Sequence, residues 1–419
     1  MRIRIPRGLI VATIGGLAAL TVSARAGEIE IIDSVPHVHN GARPAGARET
    51  IRLEELWRTG GPDDDVFFGL ITQVRADEAG DIYLLDSQLC EVAVYSPEGE
   101  RRRTLFREGE GPGEVTRPRD LALLGDGSVG VVREFPGLMV RVDRENTPLP
   151  NIEVQAPDGG GFMIVDACHA GGGTLLLGGT VSHQAQGSRQ QRVHYLGIFG
   201  PDGIERARVA EQSHQRDFEH LVIAEREALP AFWWASAVGA DGRVYVAPHR
   251  DRYRVEVFSP AGELERVITR DYAHVRRTDD EWRRLYESFE RAMQDADIPY
   301  TIEIERDEYD ILPLQHGVRV REDGTLWVLP GRGVRDQPPG VMLTFDVFDA
   351  EGRFERQISI AAPHDGVWDG FFLVGEDLVV IVTGHVEAVL AQYGGGNSTY
   401  ETDDDDSAME VICYRMAGI

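Results

Sequence analysis

No lysine occurs among the 419 residues, so all 43 basic side chains are arginines. Chemistry that needs a lysine Schiff base is excluded at once. Basic residues are also few beside the 70 acidic ones, and the formal charge of −27 argues against a nucleic-acid partner, because phosphate backbones are gripped by a basic patch. Cysteine is sparse too. Cys90, Cys168 and Cys413 are odd in number, far apart and without the paired spacing of a metal site, which reads as small buried apolar residues. A bridge between Cys90 and Cys413 stays open if the two ends of the chain are neighbours. Three catalytic signatures are missing: the GxSxG serine elbow, the HExxH zinc helix and the phosphate-cradling GxxxxGK loop.

Long hydrophobic runs are lacking as well. The one candidate extends from Leu9 to Val22, about 14 residues, short of the roughly 20 that cross a bilayer. Arg2, Arg4 and Arg7 precede it and Ala24-Arg25-Ala26 follows, the layout of a secretory signal peptide over residues 1–26 with cleavage after Ala26. The expectation is a periplasmic or secreted protein with no membrane span and, over residues 27–50, an N-terminal linker. No cysteine follows the cleavage site to carry a lipid. Removing Arg2, Arg4, Arg7 and Arg25 leaves the mature chain more acidic still, which keeps an exported monomer soluble.

What is present is a repeat. A turn followed by an apolar strand recurs as Gly80-Asp-Ile-Tyr-Leu, Gly127-Ser-Val-Gly-Val, Gly173-Thr-Leu-Leu-Leu, Gly242-Arg-Val-Tyr-Val, Gly324-Thr-Leu-Trp-Val and Glu376-Asp-Leu-Val-Val. Each is followed by an alternating strand, such as EVAVYS at 91, RVEVFS at 254 and EVICYR at 410, whose period of two marks a sheet. A tight turn then comes, as Pro97-Glu-Gly-Glu or Pro260-Ala-Gly-Glu, with glycine where positive φ is needed. A further strand closes every unit except the last. The strand IRLEELW at 51–57 has no partner of its own and fits that gap. A ring closed in this way leaves no long exposed edge. The fold expected is therefore all-β: a six-bladed β-propeller of four-stranded antiparallel blades over residues 51–419. The blades fall at about 69–105, 117–154, 162–209, 232–270, 313–360 and 368–419, the last completed by 51–58.

The segments LEELWRTGG, GDIYLLD, EVAVYSPEGE and REGEGPGEVTRPRDLAL resemble the NHL-like six-bladed propeller proteins exported by bacteria, and the run from Gly109 to Glu114 is the most specific of them. The third and sixth units depart from the pattern. What the resemblance implies is a functional face at one rim and its central mouth, where the loops between second and third strands gather.

Three insertions interrupt the repeat. Thr278-Asp-Asp-Glu281 reads as a capping box opening a helix near residues 279–294. Trp282, Leu285, Phe289 and Met293 then give it one apolar stripe, suited to a lid over the mouth. Ser182 to Arg192 is polar without periodicity and reads as a mobile loop. Tyr393 to Ala408 carries Asp403-Asp-Asp-Asp406, whose oxygens suit calcium or another divalent metal, although an acidic run usually stays solvated. Asn397-Ser-Thr matches a glycosylation pattern and is read as chance. No cofactor is called for.

Aligning the units puts Arg119, Asp120, Asp166, Trp234, His316 and Asp369 on innermost strands near the mouth, and His249 and Tyr253 on a neighbouring loop. Charged and aromatic residues are unexpected where aliphatics would pack. They are the expected ligand contacts. Two classes of function remain. The first is a binding or interaction module for a protein, peptide or carbohydrate. The second is a hydrolase or lyase of the lactonase-like or lyase-like kind with a divalent metal in the channel, a histidine or carboxylate serving as base. The motif absences favour the first.

Overall fold

The recurring glycine turns set the fold locally. In the first, Gly80 takes φ 83°, a conformation costly for any side-chain-bearing residue, and its N–H donates to the Asp77 carbonyl at 2.9 Å. The chain reverses there, and the flanking alternating segments pair into a hairpin. The computed structural model describes residues 27–62, 64–155, 161–185, 187–293, 297–393 and 409–417.

In chain order, β1 (Glu28–Ile32), β2 (Val35–Asn40) and β3 (Arg48–Gly60) come first. Four-stranded antiparallel groups follow: β4 (Ile71–Ala76), β5 (Ile82–Asp86), β6 (Glu91–Tyr95) and β7 (Arg101–Leu105); then β8 (Pro118–Leu123), β9 (Val129–Arg133), β10 (Leu138–Val142) and β11 (Pro148–Glu153). The next, β12 (Phe162–Gly171), β13 (Thr174–Gln184), β14 (Arg189–Phe199) and β15 (Glu205–Asp217), has unusually long strands. After it the chain forms β16 (Leu221–Ala224) and two single-turn helices, α1 (Glu225–Ala228) and α2 (Ala231–Trp234). Another group is β17 (Ser236–Val238), β18 (Val244–Val246), β19 (Arg254–Phe258) and β20 (Leu264–Arg270). The helix α3 (Asp279–Met293) and β21 (Tyr300–Glu303), which pairs with β16, then intervene. The remaining elements are β22 (Val318–Val320), β23 (Leu326–Val328), α4 (Arg332–Arg335), β24 (Val341–Phe348), β25 (Phe354–Ala361), β26 (Gly370–Val374), β27 (Leu378–Val382), α5 (His385–Tyr393) and β28 (Glu410–Ala417).

First strands abut one another, β4 on β8, β8 on β12, β12 on β17 and β17 on β22, and β26 returns to β4. Five of them, all but β8, line one central cavity of about 810 Å³. The architecture is of the β-propeller type. Apolar clusters fill the spaces between neighbouring sheets: Tyr83, Leu85 and Val92 of one meet Leu121, Val131 and Val140 of the next. Each such side chain contributes roughly 1.5–3 kcal/mol by leaving water.

The N-terminal segment stitches outer edges together. β3 pairs antiparallel with β28, Arg52 facing Ala417 and Trp57 facing Cys413. Its other edge runs parallel to β25, from Arg48 opposite Gln357 to Arg52 opposite Ala361. Residues 27–50 are thus no linker. β1 and β2 form a hairpin laid along the outer edge of β20, because that edge would otherwise expose unpaired backbone. At the end of β2 the buried Asn40 donates to the carbonyls of Thr269 at 3.1 Å and Gly352 at 2.9 Å, and accepts from the Phe354 N–H at 2.8 Å.

One further expectation needs correction. Ser182 to Arg192 is not a loop: β13 and β14 continue pairing out to Gln184 opposite Gln190, and β15 follows them to Asp217, past the expected end at 209. Cys90 and Cys413 are free and buried, as is Cys168. The expected signal peptide, Asn397 and Asp403–Asp406 lie outside the described residues. Among those described, no helix is long and apolar enough to cross a membrane.

Removing residues 27–60 from the mature chain should unpair β28 and bare β20 and β25. The expected loss is several kcal/mol, a fall in Tm on the order of 10 °C, checked by calorimetry. An unchanged Tm would show that the ring closes without this segment.

Candidate functional site

One helix roofs a polar pocket, and its own sequence explains its placement. The Thr278 hydroxyl accepts from the Glu281 N–H at 3.2 Å while Glu281 accepts from the Thr278 N–H at 2.7 Å, the reciprocal cap expected. Leu285 and Phe289 are buried, whereas Arg283, Arg284 and Glu287 are exposed. The buried side packs on Phe232, Trp233 and Trp234 of α2 and on Val386 and Leu390 of α5. A buried charge network pins the entry to α3. Glu225 receives Arg250 and Arg277 at 2.8 Å, and Glu308 receives Arg277 at 2.8 Å and Arg335 at 2.7 Å. Although burial opposes it, those arginines hold the Glu308 carboxyl far below the usual carboxylate range. Breaking such a network by removing one partner strands a charge, which is why these pairs hold the helix in place.

Under the roof lies a pocket of about 410 Å³. Its floor comes from two first strands, with Arg119 of β8 and Asp166 of β12. Arg119 reaches Glu134 at 2.7 Å and Asp166 at 3.8 Å. One wall is the outer part of the long sheet: Arg192 and His194 of β14 and His214 and Arg216 of β15. Arg192 sits opposite His214 in the strand register, and Gln190 opposite Arg216, so these side chains share one face. Val222 and Ile223 of β16 and Phe289 and Met293 of α3 supply an apolar side.

Charge is under tension here. Burial brings the His194 imidazole down to about 3, with His214 and Arg192 adding to it, and brings His214 down to about 4, with Arg192 and Arg216 adding. Burial, reinforced by Arg216, lowers the Arg192 guanidinium to about 10. Asp166 is pushed up to about 7 by burial, against the pull of Arg119. His194 is fixed by its Nδ1 to the Thr180 hydroxyl at 2.7 Å and stands edge-on to Trp233. His214 Nδ1 and Arg216 Nε are buried and have no hydrogen-bond partner among the described residues.

Of the residues expected from the sequence, Arg119 and Asp166 meet in this pocket. The others go elsewhere. Asp120 is a structural clasp, accepting from Gln73 Nε2 and from the Cys168 N–H, both at 2.8 Å, and so joining β4, β8 and β12. Trp234 is not on an innermost strand but in α2, 5 % exposed within the apolar cluster under α3, so its flat face is spent on packing. His249 is half-buried on the β18–β19 loop, and its neighbour Arg250 is drawn into the network at Glu225. Tyr253 is buried and donates to Asp346 at 2.8 Å. His316, at φ 49°, lines the central cavity and lies 6.5 Å from His385. Asp369 accepts from the N–H groups of Asp365 at 2.9 Å and Gly384 at 3.0 Å. Among the described residues no three of His, Cys, Asp and Glu are placed to hold a metal ion.

Sequence reasoning missed Glu134, Arg192, His194, His214 and Arg216. The signal was there as alternation: Arg192 and His194, then His214 and Arg216, each two apart, which is one face of a strand.

No family model matches this chain, and no curated protein matches it. Among solved structures it is similar to virginiamycin B lyase from Staphylococcus aureus, at 10% identity over 80% of this chain and 82% of that one, TM-score 0.39. It is also similar to a gluconolactonase from Xanthomonas campestris, at 11% over 83% and 88%, TM-score 0.40. A third is the calcium-binding regucalcin of Agrobacterium tumefaciens, at 11% over 88% and 97%, TM-score 0.40. At these values the likenesses assign neither activity nor ligand.

The lowered histidines give a pH signature. The unfolded chain takes up protons below pH about 6.5 that folded His194 and His214 refuse until about 3 and 4, so stability falls as pH drops through that window and is unaffected above it. Replacing both by glutamine should reduce this acid loss by roughly 1–3 kcal/mol near pH 4, measured by urea unfolding. An unchanged acid limb would mean these imidazoles titrate normally.

Proposed function

We propose that this chain is an exported, monomeric six-bladed β-propeller, with the blade limits read from its sequence and NHL-like in kind, and that it serves as a binding module. Its signal peptide is residues 1–26, and the ligand sits in the pocket beneath α3. The observation that carries this reading is the pocket itself: about 410 Å³, within the range of small-molecule sites, with buried ionisable groups on one side and apolar side chains on the other. Arg119 and Asp166 belong to its floor. The central cavity is larger, but its polar lining includes hairpin-turn acids such as Glu322, Asp323, Glu376 and Asp377, which are solvated chain reversals more than a shaped site.

A thermal-shift screen of sugars, peptides and small organic acids on the mature protein tests this. A ligand at a hundredfold excess over Kd stabilises by about 2.7 kcal/mol, a clear rise in Tm. That rise should vanish in Phe289→Asp, which loosens the roof at a cost of about 3 kcal/mol while leaving the sheets folded, and persist in His316→Ala at the central cavity. The opposite pattern would move the site to that cavity.

A further inference from the structure

The pocket under α3 holds two arginines, Arg192 and Arg216, that form no direct pair with a carboxylate among the described residues. Several buried arginines elsewhere meet carboxylates: Arg250 and Arg277 at Glu225, Arg335 at Glu308, Arg270 at Asp346. Arg192 and Arg216 differ. Arg192 donates its Nε to the neutral Gln190 amide oxygen at 2.9 Å, and Arg216 has its Nε buried without a partner. Among the described residues neither forms an ion pair. Beside them His214 offers a buried Nδ1 that is likewise unpartnered. Desolvated cations crowded together are unfavourable unless an anion joins them.

Resting on the pocket reading above, we propose that the ligand is an organic oxyanion, a carboxylate or a phosphate ester. Its acid group lies between Arg192, Arg216 and His214, and its carbon skeleton lies against Phe289 and Met293. A planar guanidinium fork matches two oxygens of such a group, and charge-assisted bonds are about twice as strong as neutral ones. The other groups facing the acid are Arg119, Glu134 and Asp166 from the floor and Glu227 from α1; α3 brings no ionisable side chain to the lining. A bound anion favours protonated His194 and His214. Falling pH also neutralises Asp166, held up at about 7, and Glu227, raised by burial. All of these move binding the same way.

Calorimetric titration with hexanoate, hexyl phosphate and the neutral 1-hexanol tests the assignment on the mature protein. Expected are binding of at least one anion and at least tenfold weaker binding of hexanol. Hexanoate should bind several-fold tighter at about pH 5.5 than at about pH 7.5. Whichever anion binds names the acid group. Arg192→Gln and Arg216→Gln should each weaken it at least tenfold, with Tm of the free protein unchanged or raised because an unpaired cation has gone; Arg216→Lys should fall between. Hexanol binding as well as the anions, and losing that binding in Phe289→Asp, would overturn the oxyanion while keeping the pocket. Anion binding indifferent to Arg192, Arg216 and Phe289 would overturn both. No binding by either anion would overturn the oxyanion alone.

Discussion

The outer strand of the last sheet is borrowed from the other end of the chain. Without β3, some 350 residues earlier, the edge of β28 away from β27 would be unpaired. A ring of sheets tolerates no such gap, because one unpaired edge is a site for fraying and for self-association. With β3 also lying along β25 and the β1–β2 hairpin along β20, the segment before the first sheet ties three outer edges to one another. Within the inner ring β8 and β12 lie side by side, which places Arg119 within reach of Asp166.

On that frame the chain treats charge in two ways. At Glu225, Glu308 and Asp346 buried arginines are matched closely by carboxylates, and the matched pairs pin the roof helix and the sheet edges. Under α3 the matching stops. Burial lowers the proton affinity of four side chains on one face of β14 and β15, with neighbouring cations adding to it at His194, His214 and Arg192, and the nearest acids are either engaged by Arg119 or themselves resist ionising. A chain without lysine and with a large excess of acid has no general need for such a cluster. Among the described residues Arg192 and Arg216 form no ion pair, whereas the arginines of the smaller pocket beside Glu225 are paired with Glu225, Glu281 and Glu308.

Much of the fold was legible because its units are local. Turn glycines such as Gly80 and Gly242, the period-two strands and the orphan strand at 51–57 each follow from a few adjacent residues, and the capping box with its apolar stripe foretold α3. The failures share a cause. Residues 27–40 form a hairpin whose partner, β20, lies more than 200 positions away, so nothing nearby marks it as structured. The polar stretch from Ser182 to Arg192 looked like a loop because its strands extend beyond the core and alternate polar with polar. Arg192 and His214 converge only through the β14–β15 register, which shifts at two irregularities between Leu196 and Phe199. Trp234 was misplaced for a simpler reason: an aromatic at a strand-like position served helix packing instead.

The functional account stands on Arg192 and Arg216, buried under α3 beside His194 and His214 without an ion pair, and histidine titration reads their field without any assumption about biological ligand. In NMR spectra of histidine-labelled protein, His194 and His214 should titrate near 3 and 4, and saturating hexanoate should carry both upward toward the ordinary value near 6.5. Free-protein values already near 6.5 that do not move with the anion would contradict the account.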